Sequence, residues 1–289
     1  MPFLLKTKRG KMLQKRINAD DFGISEGVNQ AIIKGATKGI LNATSVMVNM
    51  KYAFQDISTL QKIPHFSIGL HINLTNGKAI SNPKDIPLLV DQEGNFKNGF
   101  VKLFLYGLIH PKKLKQQALT EIKAQLALLQ KKNKEVGHLD SHRHVHMIPS
   151  VFKAALEVQQ KNHIPHLRMV NENLFSTIRA TKKAPYLFDG GLVKYMVLTG
   201  CSLINKILFH THPKTYFYSI LNTCKITKDK LTSLKVPARY DTLEIALHPG
   251  IPEIDKKSDL IADQNILSVY RTKELETILS TDILNLEMR

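Results

Sequence analysis

The histidines of this chain are concentrated in one short segment, and their spacing is typical of metal ligands. Residues 138–146 read His-Leu-Asp-Ser-His-Arg-His-Val-His, which places four of the twelve histidines of the chain within nine residues. If this segment were an extended strand, His142, His144 and His146 would share one face. Neutral imidazole is a good ligand for divalent metals, so the segment predicts a metal site.

Three other polar groups stand where strands are expected to end. Asp20 and Asp21 are adjacent carboxylates, so their burial requires a cation or hydrogen bonds, and a turn is needed before both can face one site. Taken alone, this pair would also fit a surface position that caps the next helix. His71 lies in an alternating apolar segment, where a single histidine is more often part of the core. His248 stands between a buried strand and a Pro-Gly turn, a position suited to proton transfer.

The hydrophobic periodicity predicts strands that alternate with helices. The predicted strands are residues 17–21, 43–48, 66–74, 166–170 and 243–247, and residues 136–146 are predicted as a strand plus its loop. The predicted helices are residues 26–38, 52–60, 111–133, 151–161 and 272–279. This alternation favours a parallel sheet or barrel, in which the chemistry lies at the C-terminal ends of the strands. Residues 171–235 are expected to be mostly helical, and the polar segment 75–98 is long enough for a substrate loop.

The composition is that of a folded, basic domain. The chain has 289 residues, 43% of them hydrophobic, so a packed core is expected and wholesale disorder is excluded. Lys and Arg number 41 against 24 Asp and Glu, which gives a net charge of +17. Because the basic residues are dispersed and no Arg-Gly-aromatic pattern occurs, we expect no nucleic-acid partner, although the charge would attract an anionic glycan or lipid. The two cysteines, Cys201 and Cys224, cannot form a disulfide scaffold.

The longest apolar segment, residues 190–209, is interrupted by Lys194 and Lys206. We therefore expect no membrane span but an amphipathic helix packed on the domain, with weak association with a membrane surface as the alternative. The basic N-terminus has too short an apolar patch for a secretory signal, so a cytoplasmic location is expected.

No Walker A motif and no G-x-G-x-x-G motif occurs, which disfavours nucleotide hydrolysis and nicotinamide chemistry and leaves metal-assisted hydrolysis.

In their order along the chain, the polar clusters resemble the motifs of the YdjC/ChbG/HpnK family of carbohydrate deacetylases. The motifs are Asn18-Ala-Asp-Asp-Phe-Gly-Ile-Ser, Gly69-Leu-His-Ile-Asn-Leu-Thr, His138-Leu-Asp-Ser-His-Arg-His-Val-His-Met and Leu247-His-Pro-Gly, with Leu167-Arg168 as a further match. The resemblance implies an α/β fold: a (β/α) barrel-like, distorted TIM-type barrel with parallel strands. It also implies a single domain over residues 16–289, after a basic lead-in at residues 1–15.

One segment departs from the family pattern. The strand before Asn18 is usually apolar, whereas residues 12–17 are Met-Leu-Gln-Lys-Arg-Ile. We therefore expect this strand to be short or to lie at an edge of the sheet.

The resemblance also implies a site with one divalent metal ion. By motif position, the site residues are Asp21, His71 and His142 as metal ligands, Asp20 as general base, His248 as general acid and Arg168 as an orienting residue. The family implies Mg²⁺, whereas an Asp/His/His donor set favours Zn²⁺ or another transition metal, because magnesium prefers oxygen ligands. The roles of Asp140, His144 and His146, which could orient a ligand or contact the substrate, stay open.

The activity that the resemblance implies is metal-dependent removal of the N-acetyl group from an acetylated amino sugar or oligosaccharide, with release of acetate. Two alternatives stay open. One is another metal-dependent barrel hydrolase, an amidohydrolase or phosphoesterase. The other is a catalytically inactive basic protein that binds glycans or nucleic acid. The expected partner is an acetylated carbohydrate, and a homodimer is compatible with the sequence.

Overall fold

Strands and helices alternate along the chain, as the periodicity predicts. The computed structural model describes residues 4–6, 12–180, 190–211, 214–257 and 263–280. The strands described are β1 (Leu4–Lys6), β2 (Met12–Phe22), β3 (Ala43–Val46), β4 (Ser67–Ile72), β5 (Leu139–Ser141), β6 (Thr215–Tyr218) and β7 (Thr242–Leu247). The α-helices described are α1 (Glu26–Lys38), α2 (Ile57–Gln61), α3 (Phe100–Ile109), α4 (Pro111–Lys132), α5 (Pro149–Lys161), α6 (Leu174–Ala180), α7 (Gly191–Phe209), α8 (Lys228–Thr232), α9 (Pro252–Asp255) and α10 (Val269–Leu279).

Six of the strands form a parallel sheet. Their order is β5-β4-β3-β2-β7-β6, and β1 pairs with β2 in the antiparallel direction. Parallel strands require crossover connections, which the helices supply, and their C-terminal ends meet at one edge of the sheet. The candidate site residues of the first, second and fourth motifs follow or end β2, β4 and β7, so the topology brings them to this edge.

The sheet is curled, because residues near its two ends share contacts. Three strands separate β5 from β7 in the sheet order. In a flat sheet these two strands would lie roughly 19 Å apart. Arg168 follows a parallel bridge between Leu167 and Leu139 beside β5, yet its side chain contacts Glu244 on β7 and Asp20 on β2. The prediction of an α/β, (β/α) barrel-like fold with parallel strands is confirmed.

Local signals explain the helices that cover the sheet. Ser25 caps α1 by accepting a hydrogen bond from the backbone N–H of Val28, and residues 28, 31, 32 and 35 form its buried face. Pro111 opens α4, where its fixed φ and missing N–H are tolerated. Apolar side chains from both helices join a continuous core with those of the strands.

The strand that carries the aspartate pair is longer and more central than expected. β2 has eleven residues and lies between β3 and β7, so the expectation of a short or edge strand before Asn18 is wrong. Lys15 is nevertheless buried, which lowers the pKa of its amine to about 8. Of the predicted basic lead-in, residues 4–6 and 12–15 belong to β1 and β2, and residues 1–3 and 7–11 lie outside the described residues.

Other differences concern irregular segments. Residues 136–146, predicted as a strand plus its loop, contain β5, which ends at Ser141, and then a 3₁₀ segment, His142–Met147. Residues 166–170 form an isolated bridge and no strand, while β6 and α3 were not anticipated. Short strands next to polar loops carry too little alternation to be recognised, because their register depends on neighbouring strands.

Candidate active site

The candidate residues lie together in a buried cluster at the C-terminal edge of the sheet. Asp20 and Asp21 end β2, His71 ends β4, His142 follows β5 and His248 follows β7. All of these side chains are buried. Segments as far apart in sequence as those of Asp20 and His248, 228 residues, therefore supply a single polar site, as the order of the motifs predicts.

A bulge in β2 explains how two adjacent aspartates face one site. The register of β2 against β3 shifts between Ala19 and Phe22, and Asp21 has a φ of 71°. Successive residues of a regular strand point to opposite faces, whereas a bulge re-aims one of them. Gly23 then continues the turn with a φ of +102°, and a Cβ there would lie 2.7 Å from the Cα of Ala53. The turn that the sequence requires after Asp20 is present.

Two imidazoles meet one carboxylate oxygen at the centre of the cluster. Asp21 Oδ1 lies 2.9 Å from His142 Nδ1 and 3.3 Å from His71 Nε2. The other oxygen, Asp21 Oδ2, accepts a hydrogen bond from Arg271 Nη2 at 2.9 Å. Burial alone would raise the pKa of Asp21, but the two histidines and Arg271 outweigh it and hold the pKa well below its usual value. Asp21 is therefore an ionised carboxylate.

The donor atoms of these three residues fit a metal ion. One ligand atom from each of Asp21, His71 and His142 lies within 4.8 Å of the others. His71 Nδ1 is 2.7 Å from Asp140 Oδ1 and donates its proton there, which directs the lone pair of Nε2 toward Asp21. A lone pair and a carboxylate facing each other need a proton or a cation between them. The pKa of His71 reflects this demand for positive charge. Burial lowers this pKa, but Asp140, Asp21 and Asp20 together raise it to about 10.

His142 retains an unused nitrogen beside this position. His142 Nε2 is buried and has no hydrogen-bond partner within the described residues, and Asp263 Oδ2 lies 3.8 Å from it. An unsatisfied buried nitrogen is costly unless a ligand completes it. Nε2 of His142 is therefore available to a cation or to a bound molecule, while Nδ1 contacts Asp21.

A second group of possible ligands, Asp20, His71 and Asp140, overlaps the first. Here the positive charge is already supplied by the protein. Arg168 contacts Asp20 with Nη1 and Nη2 at 2.7 and 2.9 Å, and its Nη2 lies 2.7 Å from Asp140 Oδ2. Its Nε also donates to Glu244 at 2.7 Å. The guanidinium occupies the place of a second cation, so the geometry favours one metal ion.

Arg168 fixes the protonation state of Asp20. Burial would raise the pKa of Asp20, but the charge and the hydrogen bonds of Arg168 outweigh it and lower the pKa to about 2. Asn18 Nδ2 donates a further hydrogen bond to Asp20 Oδ1 at 2.7 Å. Asp20 is thus held in one orientation as an ionised carboxylate, next to the candidate ligand Asp21.

His248 completes the edge of the site from β7. Its Nε2 lies 3.9 Å from Asp20 Oδ2, and its Nδ1 is buried without a hydrogen-bond partner among the described residues. Burial lowers the pKa of His248 to about 4, despite the opposing effect of Asp20 and Asp21, so the imidazole is neutral at neutral pH. Its backbone N–H donates to Glu274 Oε2 at 2.6 Å, which ties the loop after β7 to α10.

His144 and His146 do not join the metal ligands. Arg143 and His144 have φ values of 54° and 55°, so the chain turns immediately after His142 and the three histidines do not share a face. His146 accepts a hydrogen bond from Ser141 Oγ and donates from Nε2 to the carbonyl oxygen of Arg168 at 3.0 Å. His146 therefore helps to position Arg168, and His144 packs edge-on against the ring of Phe217.

Sequence reasoning missed several charged residues of the cluster. Glu244 carried a signal, because it is an acidic residue inside the apolar strand 243–247 and requires a buried partner. Arg271, Glu274 and Asp263 carried none, since each lies in an ordinary polar context near the C-terminus. The role of Asp140 was left open, and the structure shows that it orients His71.

Ser25 lies at the centre of residues 23–27, which match the G-x-S-x-G pattern of serine-hydrolase nucleophile elbows. Its Oγ donates to Asp255 Oδ2 at 2.9 Å and accepts from the backbone N–H of Val28 at 3.2 Å. These bonds cap α1 and connect it to α9. They give the hydroxyl a structural role.

A curled parallel sheet with an Asp/His/His cluster at its C-terminal edge defines an α/β barrel protein with one candidate metal centre. The YdjC-like protein family matches residues 16–286, and the chain belongs to that family.

Relatives with assigned names cover different shares of the chain. A carbohydrate deacetylase of Clostridium beijerinckii is 27% identical over 93% of this chain and 92% of its own length. A carbohydrate deacetylase of Thermoanaerobacter pseudethanolicus is 34% identical over 52% of this chain, and that match spans 57% of the relative. A chitooligosaccharide deacetylase of Proteus mirabilis is 31% identical over 52% of this chain and 56% of its own length.

A crystal structure from Enterococcus faecalis V583 resembles the whole fold. It superposes with a TM-score of 0.65 and 20% sequence identity, and the match covers 94% of this chain and 92% of the other. At this identity the likeness supports the fold alone, and it agrees with the barrel-like architecture.

Replacing Arg168 is expected to destabilise the fold strongly. Arg168→Gln leaves three buried carboxylates without their common cation, so we expect a loss of about 3–5 kcal/mol in the free energy of unfolding. Arg143→Gln is the matched control, because the Arg143 side chain is 45% exposed and contacts Asp263 at 3.0 Å. The control should lose at most about 1 kcal/mol. Urea unfolding at neutral pH measures both, and equal losses would contradict the central role of Arg168.

Glu274 is expected to make stability depend on pH. Burial raises the pKa of Glu274 from 4.5 to about 7, although the backbone N–H groups of His248 and Ile226 act to lower it. Between these two values the unfolded chain holds fewer protons than the fold, so stability is full below pH 4.5 and is lost as the pH rises to 7. The loss amounts to about 3 kcal/mol.

The test compares Glu274→Gln with the wild-type chain in urea titrations across pH 4.5 to 8. The variant cannot ionise at this position, so the stability difference between the two proteins should change by the stated amount as the pH rises. Glu276→Gln, on the exposed side of the same helix, is the control and should stay within about 0.5 kcal/mol of the wild type. A difference that does not vary with pH would show that Glu274 ionises normally.

Proposed function

We propose that this protein is a metal-dependent hydrolase that removes the N-acetyl group from an acetylated amino sugar or oligosaccharide. The observation that carries the proposal is the convergence of Asp21, His71 and His142 on one point beside the ionised carboxylate of Asp20. Membership of the YdjC-like family and the deacetylase names of its relatives support the substrate class. The reaction converts an amide and water into acetate and an amine, and the amine takes up the proton that the new carboxylic acid releases.

Asp21, His71 and His142 would hold one divalent ion. Such an ion lowers the pKa of a bound water and polarises the acetyl carbonyl. The donor set of one carboxylate and two imidazoles favours Zn²⁺ or another transition metal, while family resemblance suggests Mg²⁺. Asp140 holds the tautomer of His71 that leaves Nε2 free for the ion.

Asp20 would act as the general base. A base must be ionised at the working pH and fixed within reach of the water proton. Arg168 and Asn18 meet both conditions, because they keep the carboxylate charged and hold both of its oxygens. Arg168 is the residue that orients Asp20, and His146 in turn holds the backbone of Arg168.

His248 would pass a proton to the leaving amine. Its imidazole is neutral at rest and lies 3.9 Å from the oxygen of Asp20 that would receive the water proton. The C–N bond of the amide breaks as the nitrogen takes up this proton, and the new C–O bond remains in acetate. No proton or electron from another source is needed.

The function is tested by measuring acetate release from a panel of N-acetylated amino sugars and chitooligosaccharides. We expect release by the purified full-length chain, its loss after treatment with a chelator, and its recovery on adding Zn²⁺, Co²⁺, Mn²⁺ or Mg²⁺. Metal analysis should find one ion per chain. Two ions per chain with release of phosphate from phosphate esters would favour a phosphoesterase, and glycan binding without acetate release would favour an inactive binding protein.

Two substitutions separate the base from the metal ligands. Asp20→Asn should lower the turnover number by about 100-fold or more while the metal content stays at one ion per chain. His71→Ala should lose both activity and metal. Asp56→Asn, on the exposed surface, is the control and should retain both. Near-wild-type turnover by Asp20→Asn would contradict its role as base, whatever the metal content.

A further inference from the structure

The two sides of α7 are reversed relative to an ordinary surface helix. The side that packs on the barrel includes the polar residues Ser202 and Asn205 together with Leu198 and Cys201. The opposite side carries apolar residues that are each 56–63% exposed: Val193, Met196, Leu203 and Ile207. A helix of a soluble protein normally buries its apolar face, so an exposed apolar face marks an interaction surface.

The neighbouring helix α3 extends this surface. Val101, Leu105, Leu108 and Ile109 share one side of α3, and all four are at least half exposed. Leu108 of α3 and Leu208 of α7 line a common groove of about 600 Å³, whose floor includes Ile148. We call the exposed apolar sides of α3 and α7, with this groove, the apolar face.

Exposed lysines border the apolar face on the side of α3 and α4, where Lys102 and Lys113 are exposed. The two lysines of α7 do not contribute, because Lys194 and Lys206 donate to Thr223 and Asn171. Lys112 and Lys153 are exposed at the rim of the groove. Apolar side chains bordered by lysines match the chemistry of a bilayer with anionic headgroups, where each lysine near the surface adds to the attraction.

We propose that the apolar face docks on the surface of an anionic lipid bilayer. The axes of α3 and α7 lie along the membrane plane, their apolar side chains enter the acyl boundary, and the lysines contact lipid phosphates. By length and composition α7 resembles a membrane span. Its other side, however, packs through Leu198 and Cys201 against Phe217 and Ala246 of the barrel, and Asn205 donates to the carbonyl oxygen of Met147. The helix therefore lies on the membrane and does not cross it.

A second copy of the chain is a poorer occupant of the same face. In a two-fold symmetric dimer the same patch of both protomers forms the interface, so two surfaces bordered by lysines would be brought together. Like charges brought together in this way oppose association, whereas anionic headgroups relieve the charge. This inference goes beyond the proposed function and does not depend on catalysis.

The test measures co-sedimentation of the full-length chain with vesicles. One set contains phosphatidylcholine alone, and the other contains equal parts of phosphatidylcholine and phosphatidylglycerol. We expect binding to the anionic vesicles, and a loss of affinity of at least tenfold in Val101→Glu and in Ile207→Glu. Val269→Glu is the matched control and should stay within twofold of the wild type. Val101 and Val269 both lie in the first turn of a helix and are 71% and 61% exposed, so the new charge has the same local setting.

Three results would overturn the proposal. They are the absence of binding to anionic vesicles, an equal loss in Val269→Glu, and a wild-type dimer in light scattering that Val101→Glu or Ile207→Glu converts to a monomer. Thermal melts of all variants exclude unfolding as the cause of lost binding. Acetate release from a water-soluble acetylated sugar should be the same in all of them, which separates docking from the proposed chemistry.

Discussion

One buried guanidinium holds together the strands on which the site is built. Arg168 contacts Asp20 on β2, Asp140 on β5 and Glu244 on β7, each at 2.7 Å. A charge removed from water is tolerated only when its partners satisfy it, so none of these four residues can be buried without the others. The curl of the sheet follows from the same contacts, because they join strands that a flat sheet would keep far apart.

The balance of charge around Arg168 leaves room for one more cation. Four buried carboxylates, those of Asp20, Asp21, Asp140 and Glu244, contact two guanidinium groups, those of Arg168 and Arg271. The carboxylates at Asp21 and Asp140 also draw the pKa of His71 up to about 10. A protein can meet such excess negative charge with protons on imidazoles or with a metal ion, and the lone pairs directed at Asp21 suit the ion.

The sequence was most informative where a residue type conflicted with its local pattern. Adjacent aspartates at a strand end and a run of histidines could be recognised because neither suits an ordinary apolar core. It was least informative for Arg271 and Glu274, whose contacts depend on how α10 packs against α1 and α9 and not on any local pattern. The residue at which β5 gives way to its loop could not be located for a similar reason, because no local pattern marks the left-handed backbone at Arg143 and His144. The alternation of strands and helices, by contrast, is a local property, and it was sufficient for the fold class.

The protonation states of the two candidate catalytic residues restrict the proposed reaction. At neutral pH Asp20, with a pKa of about 2, is an ionised carboxylate, and His248, with a pKa of about 4, is a neutral imidazole without the extra proton of an acid. The proton that reaches the leaving amine must therefore be one removed from the attacking water. A carboxylate paired with a guanidinium is a weak base in water. A divalent ion would lower the pKa of the attacking water and so narrow the gap between that pKa and the pKa of Asp20. The proposed reaction therefore requires a cation at the Asp/His/His cluster, so metal binding and base catalysis belong to one proposal.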